Sequence, residues 1–315
     1  MDLFSIIINQ MGMLAVYVII GIVSVKTKIF NRESLEYVSR YIMRLSLPIM
    51  IFTNTINGAN AKEVIETMPM LGIGIIMFGI LYVVGMFASN LFHLEGNRKQ
   101  VYKAVSMFGN VGFIGIPLIA AIFPERGMLY IAIYTIIDQG LLWTVGMRLT
   151  TPADKKTEKG IGQSIKKMLN PAFVAILLGV TGIFAGVKLP QILDLTFTKI
   201  GATTTPLSMI YIGGLFCYVD IKKFVVKIEF YLIVAFKMIA FPVLLFMALK
   251  YVPFISDEIK ITLALLAGLP SMSSIAMFAN ANGSDGDYAI GAIFVTTIAS
   301  TATLPLISYI ISKVF

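Results

Sequence analysis

The chain has 315 residues, 57% of them hydrophobic and 13% charged, with a formal net charge of +8. A water-soluble domain of this length could not hide so much apolar surface, so the composition, with a mean hydropathy of +0.87, points to lipid. A single cysteine, Cys217, excludes an internal disulfide and a cysteine metal cluster, and a single histidine, His93, excludes the usual histidine-rich metal sites.

Apolar runs of about 20 residues recur along the whole chain, each long enough to cross about 30 Å of hydrocarbon. They lack period-2 alternation, which argues for helices and against an outer-membrane barrel. Ten transmembrane helices are predicted, at about 5–25, 35–56, 68–91, 101–123, 127–149, 170–187, 195–217, 229–250, 259–281 and 287–312. The first run has no basic segment before it and no small-residue cleavage signal after it, so it reads as a retained helix. Most breaks between helices carry polar, Gly or Pro residues, such as Thr27, Lys28, Asn31 and Arg32 after helix one.

Charge orders these helices. The first, third, fifth and seventh loops hold 14 Lys and Arg residues, among them Lys26, Arg98, Arg148 and Lys222, against 5 in the even loops and tails. The positive-inside rule then places the odd loops in the cytoplasm and both termini outside, in a multi-pass protein of the plasma membrane. The same rule accounts for the basic balance, so nucleic acid is not an expected partner. Arg40 and Arg44 share a face near the cytoplasmic end of helix two and are expected to reach lipid phosphates.

The halves of the chain correspond in spacing. Pro48 in helix two and Pro206 in helix seven lie 158 positions apart, and helices four and nine, and five and ten, start at similar separations. This gives a first five-helix repeat at 1–149, a polar cytoplasmic linker at 150–169 and a second repeat at 170–315. An odd number of helices per repeat turns the second upside down, and inverted repeats of this kind are common in secondary transporters, whose sites lie near the midplane.

Helices four and nine carry interruptions. Helix four holds Gly109, Asn110, Gly112, Gly115 and Pro117; helix nine holds Gly268, Pro270, Ser271, Ser273 and Ser274. Proline removes a backbone donor, glycine loosens the helix, and paired interruptions in two repeats point to a binding site. An unwound segment frees N–H groups, and a half-helix N-terminus carries about half a positive charge, so a carboxylate can be held without Lys or Arg. The expected substrate-binding residues are Gly109, Asn110, Val111, Ile114 and Pro117 in helix four, Gly268, Pro270, Ser271, Ser273 and Ser274 in helix nine, and Gln139 in helix five.

Asp138 in helix five and Lys237 in helix eight sit deep in apolar spans, where each needs a partner or a cavity. Asp138 is read as a coupling-ion or proton site and Lys237 as its counter-charge or an anion attractor, with a structural ion pair as the alternative. No Ser–His pair, phosphate-binding loop or metal cluster is found, so neither an enzyme nor a cofactor is expected. The function read from this pattern is secondary transport of a small organic anion, coupled to H⁺ or Na⁺. A sodium-coupled organic-anion symporter of the bile-acid type and a passive anion channel remain as alternatives.

The stretch Gly109-Asn110-Val111-Gly112-Phe113-Ile114-Gly115-Ile116-Pro117-Leu118 resembles the helix-four motif of the auxin efflux carrier family, which includes bacterial malonate carriers. So do Leu47-Pro48 in helix two, Thr204-Thr205-Pro206 in helix seven, and Lys237 five residues before Pro242 in helix eight. The resemblance runs the whole chain and is closest to bacterial members, because the long cytoplasmic loop of many plant members is missing. It implies two inverted five-helix repeats, with helices four and nine broken and crossing. It also implies a scaffold of helices one, two, six and seven beside a transport domain of the rest, working by elevator-type alternating access. Malonate is one of the carboxylates it suggests, and a homodimer follows by family analogy.

Overall fold

A computed structural model describes residues 3–58, 61–152, 171–218, 220 and 222–314. Most of the expected linker, with its lysines 155, 156, 159, 166 and 167, lies outside these residues. Helical stretches run over Leu3–Lys26 (helix one), 32–58 (two), 61–91 (three), Gly96–Met107 and 111–122 (four) and 127–149 (five). They continue over Pro171–Phe184 (six), 191–216 (seven), 228–250 (eight), Asp257–Ala267 and Ser273–Asn282 (nine) and Gly286–Val314 (ten). No strand occurs among the described residues.

Helix two starts three residues before its predicted beginning because Asn31 caps it. The Asn31 side chain accepts from the Ser34 N–H at 2.8 Å, and the Asn31 N–H donates back to Ser34 Oγ at 2.8 Å. Helix nine ends at Gly283, whose φ of +75° suits glycine alone without strain.

Three prolines leave the same mark. The chain widens into a π-turn at Ile42–Ser46, Val111–Gly115 and Ile233–Ala240, and in each case a proline follows two residues later: Pro48, Pro117 and Pro242. The ring of proline displaces the carbonyl four residues back, and a wider turn accommodates it without breaking the helix. A further wide turn, Leu142–Gly146 in helix five, has no proline; within it Thr144 Oγ1 donates to the Gly140 carbonyl at 2.7 Å.

Among the described residues, five helices are long and apolar enough to cross a membrane: Phe4–Lys26, Lys62–Leu91, Gly127–Leu149, Ile228–Lys250 and Gly286–Lys313. Val111–Ile122 and Pro171–Phe184 are apolar but shorter. Large apolar side chains such as Ile19, Ile76, Phe87 and Leu178 stand exposed on these helices, an arrangement that suits lipid and not water. The protein is thus an all-helical integral membrane protein.

The contacts divide the chain into two compact units. The first takes 1–69, 112–136 and 169–218, and so contains helices one, two, six and seven. Helices one and seven pack backbone to backbone within it: a Cβ on Gly21 would lie 2.1 Å from the Ile210 carbonyl oxygen, and one on Gly213 2.0 Å from that of Val18. The second unit takes 70–111, 137–168 and 219–315, and so contains helices eight, nine and ten with the first half of helix four. The broken segments at 108–110 and 268–272 both belong to this second unit.

Candidate functional site

Helix four stops at Met107, and helix nine stops at Ala267. The extended residues that follow pair with each other as a short antiparallel bridge between Gly109 and Ser271. The Asn110 N–H donates to the Pro270 carbonyl at 2.8 Å, and the Met272 N–H donates to the Phe108 carbonyl at 3.1 Å. Each break thereby satisfies backbone groups that the other leaves open, which is what makes extended backbone tolerable inside apolar surroundings. Gly109 eases this approach. A Cβ there would stand 3.1 Å from Leu269 Cβ and 3.4 Å from the Leu266 carbonyl oxygen.

Around the bridge, side chains finish the hydrogen bonding. Ser271 is fully buried; its hydroxyl donates to the Val105 carbonyl at 2.8 Å and its N–H to Thr296 Oγ1 at 3.1 Å. Asn110 is buried, and its amide Nδ2 donates to Ser273 Oγ at 3.2 Å. The second half of helix nine begins at Ser273 behind Met272, which offers no side-chain cap. The N–H groups of Ser273 and Ser274 therefore lack intrahelical partners and lie at the positive end of the helix dipole. The Ser274 hydroxyl is half-exposed and makes no hydrogen bond among the described residues.

Lys237 reaches the bridge from the wide turn of helix eight. Its Nζ donates to the Phe108 carbonyl at 2.8 Å and approaches the Val105 carbonyl at 3.4 Å. Val105 lies in the last turn of the first half of helix four and Phe108 is its C-cap, at the negative end of its dipole. A cation there is favourable, and it replaces the donors that an unbroken helix would have supplied. Asp138 is fully buried in helix five and lies within electrostatic range of Lys237. Its Oδ2 accepts from Gln139 Nε2 at 3.1 Å, while Oδ1 has no hydrogen-bond partner.

Gln139 continues outward to Trp143, whose Nε1 donates to Gln139 Oε1 at 3.3 Å. The Trp143 ring packs on Phe278, one turn beyond Ser274 in helix nine, with ring centroids 4.9 Å apart. A second polar cluster braces the starts of helices four, eight and ten. Tyr102 Oη donates to the Glu229 backbone carbonyl at 3.1 Å, Tyr288 Oη donates to Glu229 Oε1 at 3.2 Å, and Arg98 pairs with Asp285 at 3.2 Å.

Of the residues expected at the site, Gly109, Asn110, Val111, Gly268, Pro270, Ser271, Ser273, Ser274, Asp138, Gln139 and Lys237 fall in the second unit. Ile114 and Pro117 fall in the first. Ser271 and Lys237 are engaged with carbonyls of helix four. Thr296 and the Trp143–Phe278 pair were not anticipated from the sequence. Trp143 stands four residues after Gln139, one helical turn, and that spacing is the signal that marks it.

The sequence profile of the family described as "Membrane transport protein" matches residues 6–308. The chain belongs to this family, that of the auxin efflux carriers. This transporter is accordingly not an enzyme. It is 21% identical over 286 residues to a Rhizobium meliloti protein named "Putative malonate transporter", covering 89% of this chain and 88% of the relative. It is 24% identical over 209 residues to an uncharacterized transporter of Methanocaldococcus jannaschii, covering 63% of this chain and 65% of the relative. An uncharacterized transporter of Escherichia coli K12 is 21% identical over 204 residues, with the same coverage.

Proposed function

We propose that this transporter is a secondary carrier of a small organic carboxylate, working by elevator-type alternating access, with its site at the two breaks. In this reading ten helices cross the membrane as two inverted repeats, 1–149 and 170–315, joined by a cytoplasmic linker, and helices four and nine cross at their breaks. Both termini face away from the cytoplasm of a plasma-membrane protein. The observation that carries the reading is the paired break. Among the described residues the N–H groups of Ser273 and Ser274 beside the Asn110 amide have no partner, and a buried carboxylate of helix five with one oxygen unpaired there, Asp138, lies in electrostatic range of Lys237. Neutral donors at a helix N-terminus suit a carboxylate. The name of the Rhizobium relative supports malonate as the first substrate to try.

Asp138 is the proposed coupling group, because an ionisable residue inside a membrane segment commonly marks an ion or proton path. The test is uptake of labelled malonate into liposomes holding the purified carrier, with an inward H⁺ or Na⁺ gradient. Saturable uptake driven by one gradient is expected, and Asn110→Ala is expected to reduce it at least tenfold. Non-saturating flux independent of both gradients would instead describe a channel. For a substrate whose own charge is fixed across the pH range, Asp138→Asn is expected to remove the response to a pH gradient. An unchanged response rules Asp138 out as the coupling group. Drive by Na⁺ alone would favour the bile-acid-type symporter.

A further inference from the structure

Asp138, Gln139 and Trp143 form one hydrogen-bonded line on helix five. Gln139 Nε2 donates to Asp138 Oδ2 at 3.1 Å, and Trp143 Nε1 donates to Gln139 Oε1 at 3.3 Å. The chemistry of the three groups gives the line a direction. An indole N–H can only donate, so it receives the oxygen end of the Gln139 amide and leaves the NH2 end for Asp138. That end can only donate in its turn, so the Asp138 oxygen it meets must accept. A carboxylate oxygen does so, whereas the O–H of a protonated carboxyl in the same place would face the amide hydrogens. Oδ2 is thereby reserved for the amide. Oδ1, buried and without a hydrogen-bond partner among the described residues, is the oxygen left to take up a proton. The indole is fixed from its other side, where its ring packs on Phe278 of helix nine with centroids 4.9 Å apart. All four residues belong to the second unit.

We infer that Trp143 is a positioning residue for Asp138: through the Gln139 amide it holds the carboxyl as an acceptor at Oδ2 and directs the coupling proton to Oδ1. The assignment rests on the carrier reading above, in which Asp138 is the coupling group. Among the described residues the charged group that faces Asp138 is Lys237 of helix eight, which acts on the carboxylate by charge where the amide acts by hydrogen bonding. Uptake of a proton turns the carboxylate into a neutral acid with its O–H on Oδ1, and release of that proton restores the anion. In the neutral form Oδ2 is a weaker acceptor, so the amide bond loosens as the proton arrives and the indole at the far end of the line registers the change. Trp143 is the one tryptophan of the chain, so tryptophan emission comes from this line.

The experiment titrates the tryptophan emission of the whole purified carrier against pH and measures labelled malonate uptake into liposomes over the same range. One emission transition is expected in the unchanged protein. It is expected to vanish in Asp138→Asn and also in Gln139→Leu, which keeps the indole and the carboxylate and removes the link. Trp143→Phe keeps a ring for Phe278 and deletes the N–H donor, so the amide no longer favours the anion as strongly. The pH of half-maximal uptake is then expected to rise by up to about one unit. Malonate's own titration is common to both proteins, so a difference in midpoint belongs to the carrier. Phe278→Leu, which loosens the ring contact and keeps the N–H, is expected to leave the midpoint in place; a shift as large as that of Trp143→Phe makes the role one of packing and overturns the inference. An emission transition that persists in Gln139→Leu, or none in the unchanged protein, also overturns it, and the carrier reading then stands if Asp138→Asn still removes the uptake response to a pH gradient. The expected emission changes beside absent malonate uptake support the positioning by Trp143 and remove the malonate-carrier reading instead.

Discussion

The break in helix four and the break in helix nine face each other across the Gly109–Ser271 bridge, yet they are completed by different chemistry. Helix four ends on carbonyls held by a buried ammonium, Lys237, together with the Ser271 hydroxyl. Helix nine ends on Gly268 and Leu269, whose N–H groups bond back to Ala264 and Leu266, and its next donor, the Ser271 N–H, is received by a threonine of helix ten. One break therefore depends on a charge and the other on neutral hydrogen bonds. The half-helix that follows the neutral break, from Ser273, keeps free N–H groups. The buried ammonium of Lys237 thus completes the break in helix four, while the break in helix nine is closed by neutral groups.

The comparison breaks most directly at Lys237. Lys237→Met removes the donor to Phe108 and leaves Asp138 without a counter-charge, so stability is expected to fall by about 3 kcal/mol and uptake to disappear. A thermal-unfolding assay in detergent measures the first and liposome flux the second. A protein of unchanged melting temperature with lost uptake would instead assign Lys237 to the cargo. Next comes Gly109→Ala, whose added Cβ presses on Leu269; it is expected to cost about 1 kcal/mol and to slow uptake, because the two breaks must part slightly. The smallest effect is expected from Ser273→Ala. It deletes one acceptor for Asn110, costs about 0.5 kcal/mol and raises the KM for uptake several-fold with little change in maximal rate. A fall in maximal rate without a change in KM would make Ser273 part of the moving machinery and not of the binding surface.

Particular residues show how far the sequence could be read. The breaks were legible because Gly109, Asn110, Pro117, Gly268 and Pro270 are chemically unlike the apolar residues around them. The wide turns of helices two, four and eight each have a proline two residues downstream, although the widened turn itself was not expected. Asp138 and Lys237 stood out because charge is rare in such segments. Their partners did not. Nothing in the sequence tells that Lys237 bonds to a carbonyl 129 positions away, or that the Ser271 hydroxyl turns toward Val105.

Two kinds of information thus met in this protein. The sequence by itself determined what local chemistry dictates: apolar length sets the membrane helices, proline and glycine set the interruptions, and loop lysines set the expected orientation. Tertiary structure alone decided which donors remain unused once the backbone is satisfied. Hydrogen bonds between distant segments depend on packing distances of a few tenths of an ångström, and those follow from small contacts such as Gly109 against Leu269 that no single stretch of sequence encodes.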